Sequence, residues 1–308
     1  MNICLLHEKI KKAKMVKPFL KKGFYQLQLN SNEIKRVPLF KYLFSLLKKS
    51  IPLRGTKNGL YDAGHFNSGY HKAVFLVEDK AIIIYEKETE FLSYLKEHQN
   101  LEWLIYKHPK DLSWNYKLRA IIQERCTGEN LNKYILDFDE LYRCLFYFAC
   151  NTNNKFYLEK NISLFNKELS IKYSYQEGDL APCNIIKGTF DYYVIDFDNS
   201  TFYPVGYDFF FFLFLKTEES IFKAFFSSKE NSIDPIFSSL FSAFSINYNK
   251  ENFEKYLAAF IVDCISEKNL YNRYKFRDII SKRIVTLKEY GFISEFALNY
   301  FKKLLNTL

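Results

Sequence analysis

Glu177-Gly178-Asp179-Leu180-Ala181-Pro182-Cys183-Asn184, followed after eleven residues by Asp196-Phe197-Asp198, constrains this chain more than any other stretch. Between them lie Ile185-Ile186, which fits a short strand, Lys187-Gly188-Thr189, which reads as a turn, and Tyr192-Tyr193-Val194-Ile195, which reads as the returning strand. Such a hairpin brings Asn184 and Asp196 to the same end of two paired strands. Two carboxylates and one amide at this spacing are what a magnesium-dependent phosphoryl-transfer site needs. One carboxylate orients and deprotonates an acceptor hydroxyl, while the Asn and the second Asp hold metal ions that bridge nucleotide phosphates. Singly, Gly-Asp and Ile-Asp pairs are common in ordinary hairpins; jointly they are much rarer.

These two segments resemble the aminoglycoside-phosphotransferase and choline-kinase branch of the protein-kinase-like fold, which carries a loop H-G-D-x-x-x-x-N and then I-D-[FW]-[DE]. Pro182 and the later Tyr203-Pro204-Val205-Gly206-Tyr207-Asp208 look most like members found among polysaccharide-biosynthesis enzymes. The wording Ile195-Asp196-Phe197-Asp198 is similar to that of kinases acting on lipopolysaccharide core sugars. The resemblance is specific over about residues 177–215 and architectural elsewhere. It implies an α+β, bilobal protein-kinase-like fold with a small β-rich N-lobe and a larger, mainly helical C-lobe. It implies ATP and Mg²⁺ as cofactors, Asp179 as the catalytic base, Asn184 and Asp196 as metal ligands, and Asp198 as a secondary one. Asp208 matches an Asp that braces the catalytic loop through backbone hydrogen bonds. Glu177 stands where the branch has His. That His mostly orients the loop, so activity is expected to survive the exchange, although a nucleotide-binding pseudokinase stays open.

Residues 56–125 read as the N-lobe. Lys72–Val77 and Lys80–Glu86 are apolar and β-branched around a Glu78-Asp79 turn. Gly64-His65-Phe66-Asn67-Ser68-Gly69 reads either as a phosphate-covering loop or as an ordinary turn. Glu88–His98 has helical spacing, with Phe91, Leu92 and Leu95 on one face. In the resembled fold a lysine from the third strand clamps the phosphates and is held by a helix Glu. Lys87 is the candidate, with Glu88 or Glu90 as partner and Lys80 as the alternative. Ala120–Leu131 resembles the branch's hinge, and backbone amides around Glu124–Cys126 are expected to meet the adenine edge.

Residues 126–308 read as the C-lobe. Asp139–Cys150 and Phe156–Leu169 are expected to be amphipathic helices, the first supporting the catalytic loop. Asp208-Phe209 opens a strongly apolar helix that should be core, and Phe253–Ile265 and Arg277–Leu308 complete the helical part. No internal repeat, Pro-rich linker or low-complexity tract separates a further domain.

A chain of 308 residues with near half apolar and 19% aromatic side chains can bury a substantial core and is not disordered. Its net charge of +9 is concentrated. Residues 1–50 carry twelve Lys or Arg against Glu8 and Glu33, a charge of +10, and the remainder carries −1. Residues 1–55 therefore read as a basic N-terminal extension. Leu39–Lys49, apolar with lysines at its flanks, suits the surface of an anionic membrane. A helix packed on the body with a solvated basic face is the alternative. Nucleic acid is not favoured, since Arg-rich and Gly-rich readout features are missing.

Six cysteines without a C-x-x-C pair, and no secretory signal, read as reduced thiols in a cytoplasmic protein, peripheral at the inner face of the membrane if the basic segment docks there. Cys183 reads as a small buried filler rather than a reactive thiol. The five histidines fit no metal-ligand spacing, and no G-x-S-x-G elbow is present. A small-molecule or glycan alcohol is the expected acceptor. Choline-like or aminoglycoside alcohols rank lower, because only Glu218-Glu219 follow the apolar helix to meet a cation. A protein-kinase-like enzyme is disfavoured by the lack of D-F-G, A-P-E and an activation segment.

Overall fold

The computed structural model describes residues 24–28, 34–38, 50–54, 72–77, 79–85, 87–134, 137–197, 199–227, 233–266 and 270–307. The glycine loop 64–69, the apolar segment 39–49 and Asp198 lie outside the described residues. The fold class is α+β, with one β-rich unit and one larger, mainly helical unit. Residues 1–96 and 109–126 form the first, and 97–108 and 127–308 form the second.

In the first unit, strands β1 (Phe24–Gln28), β2 (Ile34–Arg36) and β3 (Ser50–Arg54) make an antiparallel sheet in the order β2-β1-β3. Part of the expected 1–55 extension is thus built into a sheet. Strands β4 (Lys72–Val77) and β5 (Lys80–Tyr85) pair as expected, and helix α1 (Glu88–His98) follows. Strands β6 (Asp111–Asn115) and β7 (Ala120–Glu124) complete a four-stranded antiparallel sheet ordered β4-β5-β7-β6. Ile83, Tyr85 and Ile121 from this sheet pack against Phe91, Tyr94 and Leu95 of α1. Leu92 does not share that face: it is 48% exposed, and Tyr94 takes the buried position instead.

The second unit takes residues 97–108, expected in the N-lobe, because Leu104, Ile105 and Tyr106 lie in its core. Strand β8 (Glu129–Asn130) leads through a 3₁₀ turn, Leu131–Tyr134, to helix α2 (Phe138–Cys150), whose N-cap Asp137 accepts from the Glu140 amide. The expected helix over Phe156–Leu169 is instead a hairpin of β9 (Tyr157–Leu164) and β10 (Lys167–Gln176). Phe165 and Asn166 both sit at positive φ (54° and 60°), which matches the right-handed twist of a two-residue hairpin. Strands β11 (Ile185–Lys187) and β12 (Tyr192–Val194) form the hairpin expected after the catalytic loop, Ile185 facing Val194. Strand β13 (Thr201–Pro204) pairs with β10, bringing Gln176 opposite Thr201.

Helix α3 (Tyr207–Phe211) runs into a π-helical turn, Phe212–Lys216. Helices α4 (Glu219–Ser227), α5 (Asp234–Ala243), α6 (Lys250–Ser266), α7 (Leu270–Glu289) and α8 (Glu295–Thr307) follow. The core is phenylalanine-rich: Phe209, Phe210 and Phe214 are buried, and the Phe210 ring packs 4.8 Å from Phe237 and 5.6 Å from Phe260. The apolar helix after Asp208 is core, as expected.

Candidate functional site

Strand β10 ends at Gln176, whose side-chain amide donates to the carbonyls of Tyr203 (3.1 Å) and Pro204 (2.8 Å), while its oxygen accepts from the Asp208 amide (3.2 Å). The chain then turns at Gly178, φ +87°, where an added Cβ would lie 2.7 Å from the Tyr203 ring and 2.8 Å from the Asn199 carbonyl. Only glycine fits that conformation and that space. Pro182 opens a 3₁₀ turn ending at Asn184, where its fixed φ and missing N–H do no harm. The Asn184 carbonyl then accepts from the Ile195 amide at 2.8 Å, the bond that brings Asn184 beside Asp196 at the root of the β11–β12 hairpin.

Asp208, fully buried, accepts from the amides of Glu177 (2.9 Å) and Gly178 (2.8 Å). It thus makes the backbone bonds that the resemblance implied. Glu177, also buried, accepts from the Asp179 amide at 2.8 Å through Oε2 and from the Asn184 side chain at 3.2 Å through Oε1. Burial, then the charges of Asp208 and Asp179, push the Glu177 carboxyl well above its ordinary range. Burial pushes Asp208 up to about 7, against the stabilising hydrogen bonds from Gly178 and Glu177. Burial, reinforced by the Asp208 charge, pushes the nearby Tyr106 hydroxyl up as well.

Asn184 Nδ2 donates to Glu177 and to the Asp179 carbonyl (3.2 Å), both acceptors, so its Oδ1 must point the other way. Asp196 holds φ +71°, a strained conformation for a residue with a side chain, of the kind that persists where surrounding structure demands it. An amide oxygen and a carboxylate are hard oxygen donors of the kind that fit magnesium, an ion commonly held by one or two carboxylates together with substrate phosphates. Among the described residues no group of three or more His, Cys, Asp or Glu side chains is arranged to hold a metal.

Asp179 itself is partly exposed, and its Oδ1 lies 2.6 Å from the Lys216 ammonium. Sequence reading missed Lys216, although it is the first charged side chain after seven apolar ones. Cys183 is exposed rather than a buried filler: it lies in the 3₁₀ turn whose buried residue is Pro182. Burial of part of its surface still raises its thiol above the ordinary range, against the opposing charge of Lys216. The described cysteines carry no disulfide.

The other candidates lie in the first unit. Lys87 pairs with Glu90 at 3.2 Å across one turn of α1, both side chains reaching solvent, while Lys80 lies 3.9 Å from Asp79. At the expected hinge, the Glu124 amide donates to the Lys110 carbonyl and the Arg125 amide to Asp79, each at 2.9 Å. These two amides hold the sheet together and are committed there. A base edge at Glu124–Cys126 would have to meet other backbone atoms of the segment.

No family model and no curated protein matches this chain. Among solved structures it is similar to a choline/ethanolamine kinase family protein from Mesorhizobium loti, at 10% identity and a TM-score of 0.47, covering 78% of this chain and 92% of that one. A choline kinase from Cryptosporidium parvum Iowa II matches at 12% identity and 0.46, covering 80% and 88%. The gentamicin complex of APH(2″)-IIa matches at 14% and 0.42, covering 75% and 93%. Likenesses at this level assign no role to any residue here; the chain's own geometry must do that.

Proposed function

We propose that this protein is an ATP- and Mg²⁺-dependent phosphotransferase, a kinase whose acceptor is a hydroxyl of a sugar, glycan or other small alcohol. What supports the proposal is the bracing of one loop: Asp208 holds the backbone of Glu177 and Gly178, Glu177 holds the Asp179 amide and the Asn184 side chain, and the Asn184–Ile195 bond sets Asn184 at the root of the hairpin that leads to Asp196. In this reading Asp179 takes the proton of the acceptor hydroxyl as that oxygen attacks the γ-phosphorus, and the bond to the departing ADP oxygen breaks. Asn184 and Asp196, with Asp198 as a further candidate, hold the metal, which supplies charge neutralisation at the phosphates. In the first unit, Lys87 with Glu90 is the candidate for phosphate contact, and the extended backbone at Glu124–Cys126 is the candidate for the base.

Glycan acceptors of cell-surface polysaccharide or lipopolysaccharide biosynthesis suit the wording of the Ile195–Asp198 segment. The basic residues 1–50 suit peripheral attachment of a cytoplasmic enzyme to an anionic membrane face. Among the described residues no helix is long and apolar enough to cross a membrane. The test is turnover with γ-labelled ATP: Asp179→Asn should keep ATP affinity and lose about 10²–10⁴-fold in rate. Equal loss of binding and rate would give Asp179 a structural or metal role and remove the base from the mechanism.

A further inference from the structure

The ammonium of Lys216 lies 2.6 Å from the carboxylate of Asp179, and both side chains reach solvent. This contact is built from behind. Lys216 closes the π-helical turn Phe212–Lys216, a form of helix found mostly as single turns and frequently at functional sites. Arg283 of α7, only 5% exposed, fastens the end of that turn. Its guanidinium donates to the carbonyls of Leu213 (2.8 Å) and Thr217 (2.8 Å) and to the Thr217 hydroxyl (3.1 Å), and stacks 4.2 Å from the Phe222 ring centroid. The Thr217 hydroxyl in turn donates to the Leu213 carbonyl. Burying a guanidinium costs free energy unless its donors are satisfied. Here they are satisfied by the carbonyls left over at a helix end. Lys216 is therefore presented at the loop by a fixed element.

Of the two acids that could have served a cationic acceptor, Glu219 is otherwise engaged, bridging Lys223 (3.3 Å) and Arg283 (3.5 Å). An amine brought to Asp179 would meet the Lys216 ammonium, and like charges repel at such range. An acid brought there would pair with it.

We propose that Lys216 reads the acceptor, selecting an alcohol that bears an acidic group, carboxylate or phosphomonoester, close to the reacting hydroxyl. The proposal rests on the reading of Asp179 as the base at the acceptor hydroxyl. Lys216 turns from Asp179 to the acceptor's acid, which leaves the Asp179 oxygen to the hydroxyl.

The test uses the full chain with glucose, glucosamine, glucuronate and glucose 1-phosphate at millimolar concentration. Binding is read by calorimetry in the presence of a non-hydrolysable ATP analogue and Mg²⁺, so that it does not depend on turnover. The two acids should bind more tightly than glucose, and glucosamine more weakly. Their order separates a carboxylate from a phosphomonoester preference. Lys216→Met should cut the acid preference by about tenfold or more, as loss of a charge-assisted hydrogen bond does. Lys216→Arg should keep most of it, and neither should change affinity for the nucleotide analogue. No binding by either acid, an acid preference unchanged in Lys216→Met, or a loss confined to the nucleotide would overturn the proposal. Failure of the base reading shows separately, as unimpaired turnover in Asp179→Asn.

Discussion

The Glu177 carboxylate joins Asn184 to the Asp179 backbone: Oε1 accepts from the Asn184 side chain at 3.2 Å and Oε2 from the Asp179 amide at 2.8 Å. One buried acid therefore sets which way the Asn184 amide faces and where the Asp179 backbone sits. The residue that departs from the resembled motif makes contacts that orient the loop. Partners behind a metal ligand typically contribute about 10–100-fold to metal affinity or activity. Glu177→Ala should weaken Mg²⁺-dependent ATP binding and turnover within that range, and Glu177→His should retain both. Titrating Mg²⁺ against nucleotide-dependent melting checks this; an Ala variant indistinguishable from wild type would show that orienting Asn184 through this carboxyl does not matter to metal-dependent binding.

Asp208→Ala should destabilise the protein without touching a substrate. It leaves the amides of Glu177 and Gly178 buried without their acceptor, at about 1–3 kcal/mol each. Asp208→Asn keeps one oxygen acceptor and should lose less. Urea unfolding of the two variants gives the order, and a stable Ala variant would mean that the loop re-pairs elsewhere.

Glu140 of α2 anchors the β11–β12 hairpin, accepting from Lys187 at 2.5 Å and from Tyr192 at 2.5 Å. Burial alone would raise its carboxyl, but the partners Lys187 and Tyr192 outweigh it and hold it below its ordinary value. A depressed folded-state pKa gives stability that is complete above the unfolded value, about 4.3, and lost as pH falls through the lower folded one. Wild type should therefore lose melting temperature below about pH 4.3 more steeply than Glu140→Gln. Parallel acid profiles would remove this group from the linkage.

The basic residues 1–50 should bind anionic vesicles, each lysine near the surface contributing on the order of 1 kcal/mol that salt screens. Deleting them is a poor test, because Phe24–Gln28 pairs with Ser50–Arg54 and removal would strip a sheet. Replacing the seven lysines between 9 and 22 by Gln keeps that sheet. Full-length protein should co-sediment in low salt and the substituted chain should not; binding indifferent to salt and to these substitutions would refute the membrane role.

The loop, its hairpin and Asp208 were legible in the sequence because they lie within one short run, where spacing alone sets geometry. The β9–β10 hairpin was not. Leu158, Ile162, Phe165 and Leu169 fall at helical intervals, and the turn is Phe165-Asn166, with no glycine to mark it. The period of the apolar residues was overridden by pairing of β10 between β9 and β13. Lys216 and Arg283 were missed for a different reason: their partners lie 37 and 66–70 residues away, beyond any local motif. The hinge expectation named backbone amides, which sequence cannot assign, and two of them proved to belong to the sheet.

Nucleotide-dependent melting, with and without Mg²⁺, tests the central claim most directly. Wild type should be stabilised by ATP only when Mg²⁺ is present, and Asp196→Ala should abolish that dependence while melting normally without ligand. A wild-type protein whose melting ignores every nucleoside triphosphate, with or without Mg²⁺, would contradict the phosphotransferase account.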